Sequence, residues 1–270
     1  MQLKRINNIE VVEQIGSGGM ASVFKGVDLN TGQLVAVKIL WSNLFKNENM
    51  KQCFVSEANH YLYLQHPGIV RLKDFIIKED AYYLVMECVD GINLEEYINK
   101  VSGPIPEDKA IELMKEVVSA IIYAHEKNVL HLDLKPANIM IDLNGKVKIL
   151  DFGISHEGAS VAKGNVMGSP LYMSPEQTEG KDIDNRSDIY SLGITFFQML
   201  TGKTPLKGNS SREVLFQKIR EGKLPKAKEF YPYVSDALQL LIDKATQINK
   251  SNRFKNANEF LDQLNELKIG

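Results

Sequence analysis

The chain has 270 residues, 24% of them charged and 44% hydrophobic, with a formal net charge of -2 at pH 7. That length can bury a substantial core, as one large domain or two packed lobes, and the balanced charge removes any demand for a polyelectrolyte partner such as nucleic acid. Two cysteines, Cys53 and Cys88, are too few for a disulfide framework and disfavour zinc, which fits a reducing, cytosolic setting.

From the start, Met1 to Asn8 lacks the apolar core of a signal peptide. The most apolar later segment, Leu192 to Leu200, is too short and broken to span a bilayer. The expectation is a cytoplasmic chain without a membrane segment, or the cytoplasmic domain of a longer, membrane-anchored protein.

Three stretches, Glu10 to Ile15, Ser22 to Val27 and Leu34 to Leu40, alternate or run apolar and are separated by turn-forming residues, which predicts a three-stranded meander. From about Asn47 to Leu64 the pattern becomes helical and stops before His66-Pro67. Ile69 to Ile77 and Tyr82 to Cys88 then form a second strand pair, turned at Glu79-Asp80. After Asp90-Gly91 the character changes. Pro106, with Glu107 and Asp108 in the first turn, opens a helix carried on by Ile111, Met114, Val118, Ile121, Ile122 and His125. Asn144-Gly145 turns a hairpin between Ile139 to Ile141 and Val147 to Leu150. Further helical patterns cover 187–201, 212–221, 234–247 and 256–268, and the run of lysines and arginines from Lys203 to Lys228 reads as a solvated face. A small β-rich lobe of five strands and one helix, a short hinge and a larger α-rich lobe follow, with a ligand cleft between the lobes.

Chemistry concentrates on the loops at strand ends. His131-Leu-Asp-Leu-Lys-Pro-Ala-Asn138 and Asp151-Phe-Gly153 bring two carboxylates, an amide and an ammonium to positions that phosphoryl transfer needs. A single Asp-x-x-x-x-Asn would say little, since hydrolytic metal sites and plain loops gather the same residues. Ile15-Gly-Ser-Gly-Gly-Met-Ala-Ser-Val23 lies between two strands, where glycines let backbone amides face a triphosphate. By itself it marks no more than a hairpin tip. A strand rather than a helix follows it, which removes the dinucleotide-binding alternative, and the Walker Gly-Lys-Ser/Thr ending is missing. Val35-Ala-Val-Lys38 puts Lys38 on the strand face opposite Val35 and Val37, and Glu57 in the following helix is the natural partner for its ammonium.

Taken together these residues resemble the eukaryotic-like, Hanks-type serine/threonine protein kinase family, and the phrases around Gly19-Met20 and Tyr172 to Gln177 are most similar to its bacterial members. The resemblance runs from about Ile9 to about Leu267 and includes Ser174-Pro-Glu176, Asp188 and Arg253 in family order. It implies an α+β, bilobal kinase fold: a small five-stranded antiparallel lobe with one main helix (1–87), a hinge (88–91) and a larger, mainly helical lobe (92–270). It also implies ATP with Mg²⁺, or Mn²⁺ in its place, as cofactors. By the same resemblance Lys38 contacts the α/β-phosphates and is held by Glu57. Asp133 accepts the substrate hydroxyl proton, Lys135 neutralises the moving phosphoryl group, and Asn138 and Asp151 hold the metal ions. Gly16, Ser17, Gly18 and Gly19 cover the phosphates. Ile15, Val23, Ala36 and Met140 sandwich the adenine, whose edge meets the backbone of Glu87 and Val89, with Met86 at the back of the pocket. Tyr61, Leu72, His131 and Phe152 form an apolar column between the lobes. Glu176 pairs with Arg253 as structure, Asp188 holds the catalytic loop from below, and Ser169 bridges Asp133 and Lys135. The partners implied are protein substrates with serine or threonine acceptors, and a homodimer through the small lobe, although no apolar stripe in the sequence points to one.

Departures from the family pattern are few. Ala21 replaces the third loop glycine, a small change. Leu132 stands where regulated members carry an arginine, so nothing there pairs with a phosphorylated activation loop, and the expectation is activity independent of such phosphorylation. Ser155, Ser160 and Ser169 are the hydroxyl residues between Phe152 and Pro170. Ala137 and Gln198 occupy positions where basophilic relatives carry acids, so no strong upstream arginine requirement is expected through them. The competing functions are a nucleotide-binding pseudokinase scaffold, which the full residue set disfavours, and a small-molecule phosphotransferase, which the Gly168-to-Glu176 platform disfavours.

Overall fold

Apolar residues at alternate positions of β4 (Leu34–Leu40) divide the amino-terminal sheet into two faces in the computed structural model, which describes residues 5–17, 21–40, 48–78, 81–152, 169–207 and 211–267. Val35, Val37 and Ile39 pack with Ile6, Ile9, Ile76, Tyr83 and Val85 on one face. Leu84 and Met86 of β6 (Ala81–Glu87) look the other way, into a cluster that contains Ala58 and Tyr61 of α1 (Glu48–Tyr63) and runs on into the helical half. Strand periodicity therefore delivers Lys38, 9% exposed, to the face that looks toward α1 and the cleft.

The sheet has six strands in the order β1-β2-β3-β4-β6-β5, all antiparallel, with β2 at Ile9–Ser17, β3 at Ala21–Asp28 and β5 at Leu72–Lys78. The expected count of five omits β1 (Arg5–Ile6), which doubles back on β2. Two residues are too few to show alternation; the reversal depends on Asn7, a residue type that tolerates its left-handed φ of +50°. Ile69, expected to open β5, instead makes a separate parallel bridge to Ile149. The Glu79-Asp80 turn lies outside the described residues.

Residues 88–90 lead from β6 into β7 (Gly91–Asn93), which joins β8 (Ile139–Asp142) and β9 (Val147–Ile149) in a second, three-stranded sheet. Gly91 is required there, because a Cβ would stand 2.1 Å from the Ile141 carbonyl oxygen. The β8–β9 turn takes a longer form than a two-residue loop: the Asp142 carboxylate accepts from the Asn144 and Lys146 N–H groups, and Gly145 supplies a φ of +77°.

Helix α2 (Leu94–Glu96) continues as a π-helical turn over Tyr97–Ser102. α3 (Glu107–Glu126) follows Pro106 as N-cap and buries Ile111, Met114, Val118 and Ile121. α4 (Pro175–Glu179), α5 (Asn185–Thr201), α6 (Arg212–Glu221), α7 (Ala227–Phe230), α8 (Asp236–Ala245) and α9 (Ala257–Glu266) complete the helical half. Side-chain oxygens of Ser174, Asp184, Ser211, Ser235 and Asn256 cap five of these. All fifteen of the α5 residues from Ser187 to Thr201 are buried, so this helix is the axis around which the others pack. Among the described residues no helix is long and apolar enough to cross a membrane.

Candidate active site

Loop 131–138 is suspended between β8 and α5. The Asp188 carboxylate, 0% exposed, accepts from the backbone N–H of His131 at 2.9 Å and of Leu132 at 2.7 Å, and from His125 Nε2 at 2.8 Å. Burial pushes this carboxyl up, and the His125 hydrogen bond and the surrounding donors outweigh it, so it stays below the usual aspartate range. Leu132 is held in the left-handed region at φ +62°, a conformation that a branched residue resists by roughly 1–3 kcal/mol. Its N–H goes to Asp188 and its carbonyl accepts from Gln177 Nε2 at 2.9 Å, so both ends of the strained residue are tied down.

That suspension aims the Asp133 side chain. Oδ2 accepts from Lys135 Nζ at 2.7 Å and Asn138 Nδ2 at 3.1 Å, and Oδ1 accepts from the Ser169 N–H at 2.9 Å. Lys135 Nζ also donates to Ser169 Oγ at 2.5 Å, so Ser169 spans the carboxylate and the ammonium. Asn138 spends its amide N–H groups on Asp133, which leaves the amide oxygen turned to other company.

On the opposite wall, Lys38 Nζ lies 3.0 Å from Asp151 Oδ1. Asp151 also has a positive φ, +57°, and its side chain is 41% exposed to the cleft. Desolvation pushes its carboxyl up; the Lys38 ammonium more than offsets this and holds it below the usual range. Glu57 belongs to α1, with its side chain outside the described residues. Val23 pairs with both Gly16 and Lys38 across the meander, and Ala36 pairs with Met86, which places Gly16 and Ser17 alongside the Val23–Lys38 row of the same sheet. Gly18 and Gly19 lie outside the described residues, as do Gly153, Ser155 and Ser160. Met140 sits on β8 opposite Asn93 and Lys148, with Glu87 and Val89 at the connection above. The Glu87 N–H donates to the Arg71 carbonyl, so a base edge there would meet its carbonyl.

Between the walls, Tyr61 meets Phe152 edge to face and His131 meets it at a tilt, with centroid separations of 6.3 and 4.6 Å, and Leu72 is buried in the same cluster as Tyr61 and Phe152. Tyr61 Oη accepts the Phe152 N–H at 3.1 Å. His131 Nδ1 accepts from the Asp133 N–H, which assigns the proton to Nε2, donating to the Leu150 carbonyl. Beneath the floor, both Glu176 oxygens accept from Arg253 at 2.7 and 2.8 Å. Cys88 is a free thiol, half-buried, and burial raises its pKa.

Beyond Asp188, several supports belong to no motif. Asp188, Ser191, Thr195 and Gln198 form one stripe along α5 at spacings of three and four: Ser191 Oγ donates to the Tyr172 carbonyl, Thr195 Oγ1 to the Leu134 carbonyl, and Gln198 accepts from the Tyr172 hydroxyl at 2.5 Å. A polar stripe in an otherwise apolar helix is the signal that reveals them. Gln177 has no such signal beyond its capping-box spacing from Ser174. Lys148 and Glu87, 2.5 Å apart, tie β9 to the connection between the lobes and share no motif.

By donor chemistry the residues fit a hard divalent cation: the Asp151 carboxylate and the Asn138 amide oxygen, whose N–H groups are spent on Asp133, are oxygen donors of the kind such an ion takes.

The protein kinase domain family matches residues 9–264. The serine/threonine-protein kinase PrkC of Bacillus subtilis is 36% identical over 279 residues, covering 98% of this chain and 43% of that protein. A probable serine/threonine-protein kinase PknB of Lactococcus lactis is 39% identical over 93% of this chain and 40% of its own length. PknB of Mycolicibacterium smegmatis is 37% identical over 93% and 41%. The chain spans about two fifths of the length of the curated relatives it matches.

Proposed function

Because this chain belongs to the Hanks-type serine/threonine protein kinase family and is similar to its bacterial members, we propose that it transfers the γ-phosphoryl group of Mg-ATP to serine and threonine hydroxyls of protein substrates. The observation that carries this is the Asp133 carboxylate, fixed by Lys135, Asn138 and the Ser169 N–H within 3.1 Å. Asp133 orients the acceptor hydroxyl and takes its proton as the new oxygen–phosphorus bond forms and the bond to the β-phosphate oxygen breaks, releasing ADP. Lys135 neutralises charge on the moving group, and Lys38 holds the α/β-phosphates opposite. In a loose transition state such positioning supplies most of the catalysis.

The family uses ATP with a divalent metal; Mg²⁺ is the ion proposed here, to be held by the Asp151 carboxylate and the Asn138 amide oxygen, where it would neutralise phosphate charge. Ile15, Val23, Ala36 and Met140 enclose the adenine, with Glu87 and Val89 along its edge and Gly16 to Gly19 above the phosphates. Residues 1–87, 88–91 and 92–270 act as small lobe, hinge and large lobe.

The proposal includes activity without activation-loop phosphorylation. Leu132, 3% exposed, has no charge to offer a phosphate, and its backbone is already held by Asp188 and Gln177. A phosphatase-treated enzyme is the test. With labelled ATP and Mg²⁺, transfer to serine or threonine that is present after dephosphorylation and absent in Asp133→Asn supports both parts. A large rate gain on phosphorylating Ser160, abolished in Ser160→Ala, overturns the second. Nucleotide binding without any transfer turns the assignment toward a scaffold.

A further inference from the structure

Arg212 opens α6 as its first helical residue, where the positive end of the helix dipole makes a cation unwelcome. Its guanidinium lies over the Phe216 ring, 5.1 Å from the centroid, and its Nε and Nη2 groups are buried with no hydrogen-bond partner among the described residues. Buried guanidinium donors are paired in most folded proteins, so two idle ones on one side chain need a reason. Three cations of the same basic stretch have partners: Lys226 pairs with Asp243, Lys228 with Asp236, and Arg220 donates to the Phe216 carbonyl. The neighbouring Glu213 carboxylate takes its hydrogen bonds from its own backbone N–H and from the Ser211 hydroxyl, and meets Arg212 only as a nearby opposite charge. Arg212 differs from these three neighbours in having no such partner among the described residues.

Its surroundings indicate what it serves. Phe216 belongs to one apolar cluster with Tyr172 and Met173, and α6 packs against the turn Pro170–Tyr172 and against α4. That turn follows Ser169, which contacts both Asp133 and Lys135. Arg212 is thus anchored through Phe216 to the platform that continues from the reacting groups.

We propose that Arg212 is a specificity-determining residue that receives the carboxylate of an acidic residue close to the acceptor serine or threonine of the protein substrate. This rests on the kinase reading, in which residues 169–173 border the bound substrate. The planar fork matches a carboxylate through two parallel N–H bonds. The side chain as a whole is only partly buried, and no hydrogen bond from the described residues holds Nε or Nη2 inside, so turning the fork toward a ligand breaks none of these while it satisfies both groups.

The test is binding of acceptor peptides by fluorescence anisotropy, without nucleotide, with Asp walked through the positions on either side of the acceptor and Asn as the matched control. The wild type binds one Asp peptide roughly tenfold more tightly than its Asn partner, as expected for a charge-assisted bond. Arg212→Met, which keeps a stem over Phe216, abolishes that ratio, and Arg212→Lys, which keeps the charge without the fork, retains part of it. Arg212→Gln serves if the methionine variant melts early. A wild-type ratio near one at every position, or a ratio that survives in Arg212→Met, overturns the proposal. Because no phosphoryl transfer is involved, an enzyme without turnover leaves this result intact, and failure here leaves the kinase reading intact.

Discussion

The floor of the cleft, residues 131–138, is held from beneath by side chains that never reach solvent, whereas the roof, β2 and β3, presents backbone and a few apolar side chains such as Ile15, 50% exposed. The floor also carries the strain: Leu132, and Asp151 beside it, both sit at positive φ. Groups that must meet a reacting atom gain from being placed beforehand, since a misplacement of about 1 Å can slow a reaction on the order of a hundredfold. Groups that only enclose a ligand can wait for it. On this comparison, damage to the floor should appear in stability and turnover, and damage to the roof in nucleotide affinity.

The largest effect is expected beneath the floor. Arg253, its side chain 0% exposed, neutralises Glu176 and also donates to the carbonyls of Arg186, Gln247 and Ile248. Arg253→Met leaves a buried carboxylate unpaired and should destabilise the fold by about 3–5 kcal/mol, a fall in melting temperature on the order of 10 °C. Burial pushes Glu176 up and Arg253 more than reverses this, so its pKa is lowered in the folded protein. A lowered value means the pair contributes in full above the ordinary glutamate range and loses its contribution as pH falls below about 4, through the folded value. The gap between wild type and variant should therefore narrow in acid, which melting curves from about pH 7 to pH 3 would register. A gap that widens in acid would contradict the sign.

Next in size is Asp188→Asn. The amide keeps the shape of the carboxylate but cannot accept from His131, Leu132 and His125 with the same strength, and one of its two ends offers donors where donors already stand. Turnover should fall by roughly a hundredfold as the strained Leu132 relaxes and Asp133 drifts. The dissociation constant for ATP, set by the other wall, should move less than about twofold, within the few tenths of a kcal/mol expected for distant, independent sites. An equal loss in both quantities would show that floor and roof are one unit.

How much of this was legible follows the same division. Strand alternation placed Lys38 on the correct face because a period of two leaves no other choice once Val35 and Val37 are core. The grouping of Asp133, Lys135 and Asn138 was legible because these residues are close in sequence, and the structure brings their side chains together. The α5 stripe was not read beyond Asp188 and Gln198, since Ser191 and Thr195 act by reaching loops nineteen and sixty-one residues away, which only the packed topology reveals. The turn over Leu94–Ser102 was missed for a local reason: only Leu94 and Ile98 are buried, too few to set a period. Strand β1 was missed because its two residues cannot alternate visibly.

The smallest effect should come from the roof itself. Ile15 projects from β2 with half its surface in solvent, so Ile15→Ala removes little buried area and should change stability by no more than about 0.5 kcal/mol. If the residue covers the adenine, binding buries it, and truncation then removes apolar contact that exists only in the complex, worth about 1–2 kcal/mol at most. The dissociation constant for ATP should rise by roughly five- to thirtyfold with an unchanged melting temperature of the free protein and an unchanged maximal rate. Titration of both proteins with ATP, followed by initial rates at saturating nucleotide, separates the possibilities. A lower maximal rate at saturation would mean that the roof also aligns the phosphates, and that the two walls share the work of positioning.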